Sequence, residues 1–180
     1  MATHTPERYD PVAQALHWGM AVAMIALWVV GQSLEALPKG PMRTEVIGLH
    51  KAVGVLILVL AVVRLGWRAV RPAPALPATM TAREVLGAKL GHAALYALMV
   101  LMPIDGVLLS QSGGRAVSVF GLVLPTLVDK SEPMHEAFEA GHAVMGWVLA
   151  AVLAVHVAAA LYHHYRLKDD VLRRMVPWSI

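Results

Sequence analysis

Apolar residues in this chain collect into four long stretches, separated by short segments rich in proline, glycine and charge. The stretches lie at about residues 12–34, 46–70, 91–110 and 142–164, each long enough at about 1.5 Å per helical residue to cross a hydrocarbon layer of about 30 Å. The pattern predicts an all-α fold, a transmembrane up-down four-helix bundle, with residues 1–180 as a single membrane domain. The first stretch starts after Pro11 and stops in ALPKGP, where Pro38, Gly40 and Pro41 interrupt a helix. It is expected to stay as a membrane helix rather than a cleaved leader, because Glu7 and Asp10 precede it and it contains His17 and Trp18. The second ends in RPAPALP, whose alternating prolines favour an extended connector. Pro103 removes a backbone hydrogen bond in the third, so a kink is expected there. Ahead of the fourth, SEPMHEAFEA reads as an amphipathic helix lying on the membrane surface.

Composition narrows the chemistry. With 58% hydrophobic and 15% charged residues, the chain departs from a soluble domain in the direction of a membrane protein. The absence of cysteine excludes disulfides, Cys-ligated iron–sulfur clusters, covalent C-x-x-C-H haem attachment and thiol catalysis, so any metal must be held by His, Met or carboxylate. The net charge of +3 does not point to nucleic acid, because the basic residues stand at the ends of apolar runs. Arg8, Arg64, Arg68, Arg71, Arg83, Lys89, Arg166, Lys168, Arg173 and Arg174 fall on one side. Lys39, Arg43, Lys51, Arg115 and Lys130 fall on the other, so the positive-inside rule puts both termini in the cytoplasm.

Nine histidines in so apolar a chain need an explanation, since ionisable groups inside a membrane are costly and mark function. His142 and His156 are 14 residues apart, which is about 21 Å along a helix and within roughly 40° of one face. His17 stands near the cytoplasmic start of the first helix and His50 near the outer start of the second. Up-down order then gives two pairs at two depths, His17 with His156 and His50 with His142. Paired neutral imidazoles on facing helices suit the two axial positions of a haem iron. Gly19, Gly48, Gly54, Gly141 and Gly146, with the alanines around His156, are small enough to let a flat macrocycle approach. Structural zinc would want four ligands at one point, and no Met shares the two-depth pattern.

The string HVAAALYHHYRLKDDVLRRM resembles the signature of the prokaryotic cytochrome b561 family, small four-helix di-haem proteins of the bacterial inner membrane. The resemblance extends in order through LHW at His17, LHKAVG and VVRL in the second helix, LGHAALY in the third and the 14-residue spacing in the fourth. It implies two non-covalent haems b, with His17 and His156 as ligands of the cytoplasmic one and His50 and His142 of the periplasmic one. It also implies electron transfer with the quinone pool. Some members are similar to superoxide:ubiquinone oxidoreductases, which take an electron from superoxide outside and reduce ubiquinone.

Other residues are candidates for contacts around such groups. Arg64, inside the second run, pairs with a haem propionate or snorkels to the interface. His92 and His163 read as propionate or quinone contacts, against plain core or interfacial hydrogen bonding. Lys51, beside His50, is placed to attract an anion such as superoxide, although Glu132, Glu136 and Glu139 make the same side acidic. Asp105 departs from the apolar or small residue expected there and reads as an interfacial group. The tryptophans, including Trp178, are interface anchors, with Trp147 a candidate to pack on a porphyrin. His4 and His135 carry no site assignment. The expected partners are membrane lipid, quinone, and superoxide or a redox protein. The alternatives are an electron-relay cytochrome subunit for a dehydrogenase or hydrogenase, a haem-based redox sensor, and a haem-free histidine proton conductor.

Overall fold

The computed structural model describes residues 8–177, so His4 and Trp178 lie outside the described residues. Four helices carry the fold: α1 (Pro11–Ser33), α2 (Pro41–Val70), α3 (Ala82–Ser112) and α4 (Glu132–Tyr162). Each is long and apolar enough to cross a membrane, and no more than 28% of any span is buried inside the protein. The outward residues, among them Val22, Val29, Val59, Val62, Leu101 and Val155, are large, apolar and exposed, as a lipid-facing surface requires. Neighbours pack in chain order, α1 on α2, α2 on α3 and α3 on α4. Between α1 and α4 the described residues leave an apolar groove of about 550 Å³, walled by Ile25, Trp28, Leu153 and Leu161.

Local chemistry explains the helix starts. Asp10 caps α1 by accepting from the backbone N–H of Val12 and Ala13 at 3.0 and 3.2 Å. Trp67, near the end of α2, donates its indole N–H to the same carboxylate at 3.0 Å. Burial pushes the Asp10 carboxyl up, but these hydrogen bonds outweigh it and hold the group below its ordinary value, so the cap is ionised at neutral pH. Thr81 and Glu84 form a reciprocal capping box that starts α3 nine residues ahead of the expected apolar run. Helix α2 likewise begins earlier than its apolar core, with Pro41 in its first turn.

The segment SEPMHEAFEA does not lie on the surface as a separate helix. It is the first turns of α4, which runs unbroken from Glu132. Two contacts hold it upright against the end of α3: Ser131 N–H donates to the Ser112 carbonyl at 2.9 Å, and His135 Nδ1 donates to the Leu109 carbonyl at 3.0 Å. Before it comes a hairpin that hydropathy did not announce, β1 (Ser118–Val119) paired antiparallel with β2 (Leu122–Val123). Its turn places both Phe120 and Gly121 at positive φ, 48° and 93°, the geometry of a type I′ turn. Helix α3 continues through Pro103 to Ser112 as one helix.

At the opposite end of the bundle the first and last described residues of the chain meet. Helix α4 passes into a π-helical turn, His163–Leu167, and the tail then folds back beneath α1. Arg8 donates to the carbonyls of Arg173 and Val176, Trp18 to that of Met175 at 3.0 Å, and Tyr9 N–H to that of Arg174 at 3.1 Å. Arg174 in turn reaches the Ala75 carbonyl in the connector between α2 and α3. The middle of the bundle is apolar: Met20 and Met24 of α1 pack with Ile57 and Ala61 of α2 and Met99 of α3. Leu95 and Leu98 of α3 pack with Leu149 of α4.

Candidate functional site

The bundle brings together both predicted histidine pairs, one toward each end of this core. Near the terminal end the ring centres of His17 and His156 are 6.2 Å apart. Near the hairpin end those of His50 and His142 are 6.4 Å apart. Two imidazoles on opposite sides of one metal have centres separated by about 6.3 Å, from bonds of about 2 Å and about 1.1 Å from ring nitrogen to ring centre. Both pairs match. His92 also approaches His156, at 5.5 Å, which is short for such an arrangement and leaves His17 the better-placed partner.

Among the described residues no three His, Cys, Asp or Glu side chains converge on a point where they alone could hold a metal ion. Each site therefore offers two nitrogens and leaves the remaining positions of a six-coordinate iron to a macrocycle, the donor set that suits haem. The surroundings of the hairpin-end pair agree. His50 and His142 share a cavity wall with Trp28, Gly54, Met102 and Pro103. His50 Nδ1 and Trp28 Nε1 are buried with no hydrogen-bond partner among the described residues, and both residues line this one cavity.

Two further glycines make room for the imidazole rings themselves. A Cβ at Gly106 would stand 3.0 Å from His142 Cε1, and one at Gly31 would stand 3.5 Å from His50 Cε1. Gly19, Gly48 and Gly54 face open space, where a flat group meets no side chain, while Gly146 meets only Met102. Gly141 has another role: a Cβ there would stand 3.2 Å from Asp105 Oδ1.

Asp105 is not the interfacial group expected. Its Oδ2 lies 3.2 Å from His142 Nδ1, a hydrogen bond between α3 and α4. Arg64 does not snorkel either. Its guanidinium turns inward, donating to the Tyr96 hydroxyl at 3.2 Å and the Ala13 carbonyl at 3.4 Å, with Nη2 3.2 Å from His17 Nδ1. His163 is buried in the π-helical turn and bonds Asp169 Oδ2 at 2.5 Å, so it is a fixed internal dyad rather than a headgroup contact. Lys51 donates to Ser110 Oγ at 3.2 Å and the Ala116 carbonyl at 3.1 Å, tying α2 to the loop after α3. Trp147 stacks edge-on against Trp28 with ring centres 5.3 Å apart and bridges α1 to α4. Sequence reasoning missed Gly31, Gly106 and Tyr96; adjacency of Asp105 to Gly106 and of Gly141 to His142 was the available signal.

Four membrane-crossing helices enclosing paired imidazoles define a multi-pass helical membrane protein with the donor set of a b-type cytochrome. Comparison with known proteins gives the class its family. Residues 8–178 match the family model described as prokaryotic cytochrome b561, and the chain belongs to that family. It is 33% identical to "Cytochrome b561 homolog 2" of Escherichia coli (strain K12), over 97% of this chain and 94% of that protein. It is 28% identical to the "Probable superoxide oxidase CybB" of Yersinia pestis, over 95% and 97% respectively. It is 30% identical to "Cytochrome b562" of Cereibacter sphaeroides, over 93% and 94%. Membership implies haem b binding and electron transport in the inner membrane.

Proposed function

We propose that this chain carries electrons across the inner membrane through two haems b, taking them from superoxide on the periplasmic side and delivering them to ubiquinone. Both termini are cytoplasmic in this reading, the whole chain acts as one domain, and the hairpin end is the outer end. His17 and His156 hold the inner haem, and His50 and His142 the outer one. The observation that carries the reading is the matched separation of the two ring pairs, 6.2 and 6.4 Å, on helices that cross the membrane. Bound haem supplies one-electron redox chemistry, and the protein supplies position, spacing and electrostatics.

The residues divide that task. The apolar core between the pairs, built from Met20, Met24, Ile57 and Met99, offers water no hydrogen-bond partner in the middle of the membrane. At the inner end Arg64 has two exclusive uses. A histidine that gives Nε2 to iron carries its hydrogen on Nδ1, whereas a guanidinium has only donors to offer that atom. With haem bound, Arg64 would keep Tyr96 and Ala13 as partners and would have its remaining donors available to a propionate. The His163–Asp169 dyad and His92 lie toward the cytoplasmic end, where quinone reduction consumes protons, and are the groups we assign to proton delivery.

At the outer end Lys51 and exposed Arg115 supply positive charge near His50, while Glu132, Glu136 and Glu139 are exposed on α4. Lys51 is fixed by its two hydrogen bonds to the loop, so it steers an anion from a set position. The test uses detergent-purified holoprotein with a ubiquinone analogue and an enzymatic superoxide source. Catalytic quinone reduction, slowing as ionic strength rises, is expected. Reduction of the haems without turnover of quinone would instead favour an electron-relay subunit of a partner dehydrogenase or hydrogenase. A turnover rate independent of salt would remove the steering role of Lys51.

A further inference from the structure

The two histidine pairs face opposite charges. At the outer pair, the carboxylate of Asp105 is 3.2 Å from His142 Nδ1, with side chains only 14% and 23% exposed. At the inner pair, the group at the same distance from His17 Nδ1 is the guanidinium of Arg64. A carboxylate inside an apolar helix is costly and asks for a function. This one is also fitted into place from both helices. Gly141 of α4 leaves space for Asp105 Oδ1, which a Cβ would approach to 3.2 Å. Gly106 of α3 leaves space for the His142 ring, whose Cε1 a Cβ would approach to 3.0 Å. The Asp105–Gly106 step thus seats against the Gly141–His142 step, and neither helix can turn without breaking the hydrogen bond.

Resting on the ligand assignment above, we infer that Asp105 is a positioning residue that lowers the midpoint potential of the outer haem and so directs electrons inward. A His142 ring that binds iron through Nε2 carries its hydrogen on Nδ1, and Asp105 accepts that hydrogen. The bond fixes the plane of the ring and makes it a more basic ligand, which favours the oxidised iron. The negative charge acts in the same direction, because oxidised iron carries one more positive charge than reduced iron. Arg64, held beside the inner pair by the neutral Tyr96 hydroxyl and Ala13 carbonyl, places no carboxylate there, and to the extent that its charge is felt it favours the reduced state. One electron leaving the outer haem, which is oxidised, for the inner haem, which is reduced, then moves toward higher potential, and no proton or further reactant is needed.

Redox potentiometry of the two-haem protein, followed optically, tests this, with the outer wave identified as the one missing from His142→Ala. Asp105→Asn keeps the size and an acceptor but removes the charge. It is expected to retain both haems, leave the inner wave in place and shift the outer reduction equilibrium about tenfold toward the reduced form, about 59 mV for one electron. Gly141→Ala leaves both side chains present but crowds Oδ1, and moves the outer wave the same way by less. Should Asp105→Asn lose the outer haem, the Gly141→Ala shift decides alone. An outer wave that does not move, or two waves that move equally, overturns the inference. Fewer than two haems in the unsubstituted protein would overturn the ligand assignment instead, so the two failures are distinct.

Discussion

His142→Ala removes the outer haem and leaves the inner one, and His156→Ala does the reverse, each variant retaining about half of the pigment per chain. The expectation follows from α4 alone carrying one ligand of each pair, with partners on different helices, His50 on α2 and His17 on α1. Each loss abolishes passage of electrons through the protein, since either gap leaves about 21 Å of helix without a redox centre. Cutting α4 at the His156 level is the more disruptive of the two. Among the described residues α1 and α4 are separated along much of their length by the apolar groove, so loss of a haem between them removes a clasp across it. Pigment and reduced-minus-oxidised spectra of the purified variants read the outcome. Retention of both haems in His142→Ala and His156→Ala would show that the irons are held elsewhere.

A second large effect is expected at a residue that ligates nothing. Gly106→Val places carbon where the His142 ring now lies, 3.0 Å from Cε1 and 3.5 Å from Nδ1 for the first carbon alone. The ring cannot yield toward α3, and moving away breaks its bond to Asp105. Outer-haem retention should weaken about 10–100-fold, the range found when groups that orient metal ligands are removed, while the inner haem stays. Gly87→Ala is the control. A Cβ there meets nothing within 4 Å, so the same helix gains about 1 kcal/mol of helix propensity and both haems remain. Haem dissociation to an excess of apo-myoglobin measures the difference, and equal retention in the two variants would remove Gly106 from the site.

These two effects differ in how far the sequence announced them. The pairing of His142 and His156 with partners on other helices was legible because 14 residues return to nearly one helix face and because up-down order fixes depth. The four helices were legible for the same kind of reason: runs of twenty or so apolar residues have few other uses. Their ends were not, because helices continue past the bilayer where hydropathy falls silent. The start of α3 was nevertheless written in Thr81 and Glu84, and the start of α4 was misread because an acidic, amphipathic turn has the same composition lying flat or standing upright. Strands of two residues are too short for any periodicity, so the hairpin left no trace beyond Gly121.

Contacts between helices were the least legible level. Whether Arg64 points to lipid or to His17, and whether Asp105 meets water or His142, depends on the rotation of each helix about its axis. Near-uniform apolar faces do not set that rotation. Small residues on the partner helix do, and the glycines that matter, Gly31, Gly106 and Gly141, become distinguishable from Gly19 and Gly48 only once their neighbours are known.

The central claim is that the bundle holds one haem between each pair of imidazoles. The haem-to-protein ratio of detergent-purified protein, by pyridine haemochrome with oxidised and reduced spectra on the same sample, tests it most directly. Two low-spin b haems per chain is the expected result. One haem per chain, or none when haem is supplied during expression, contradicts it.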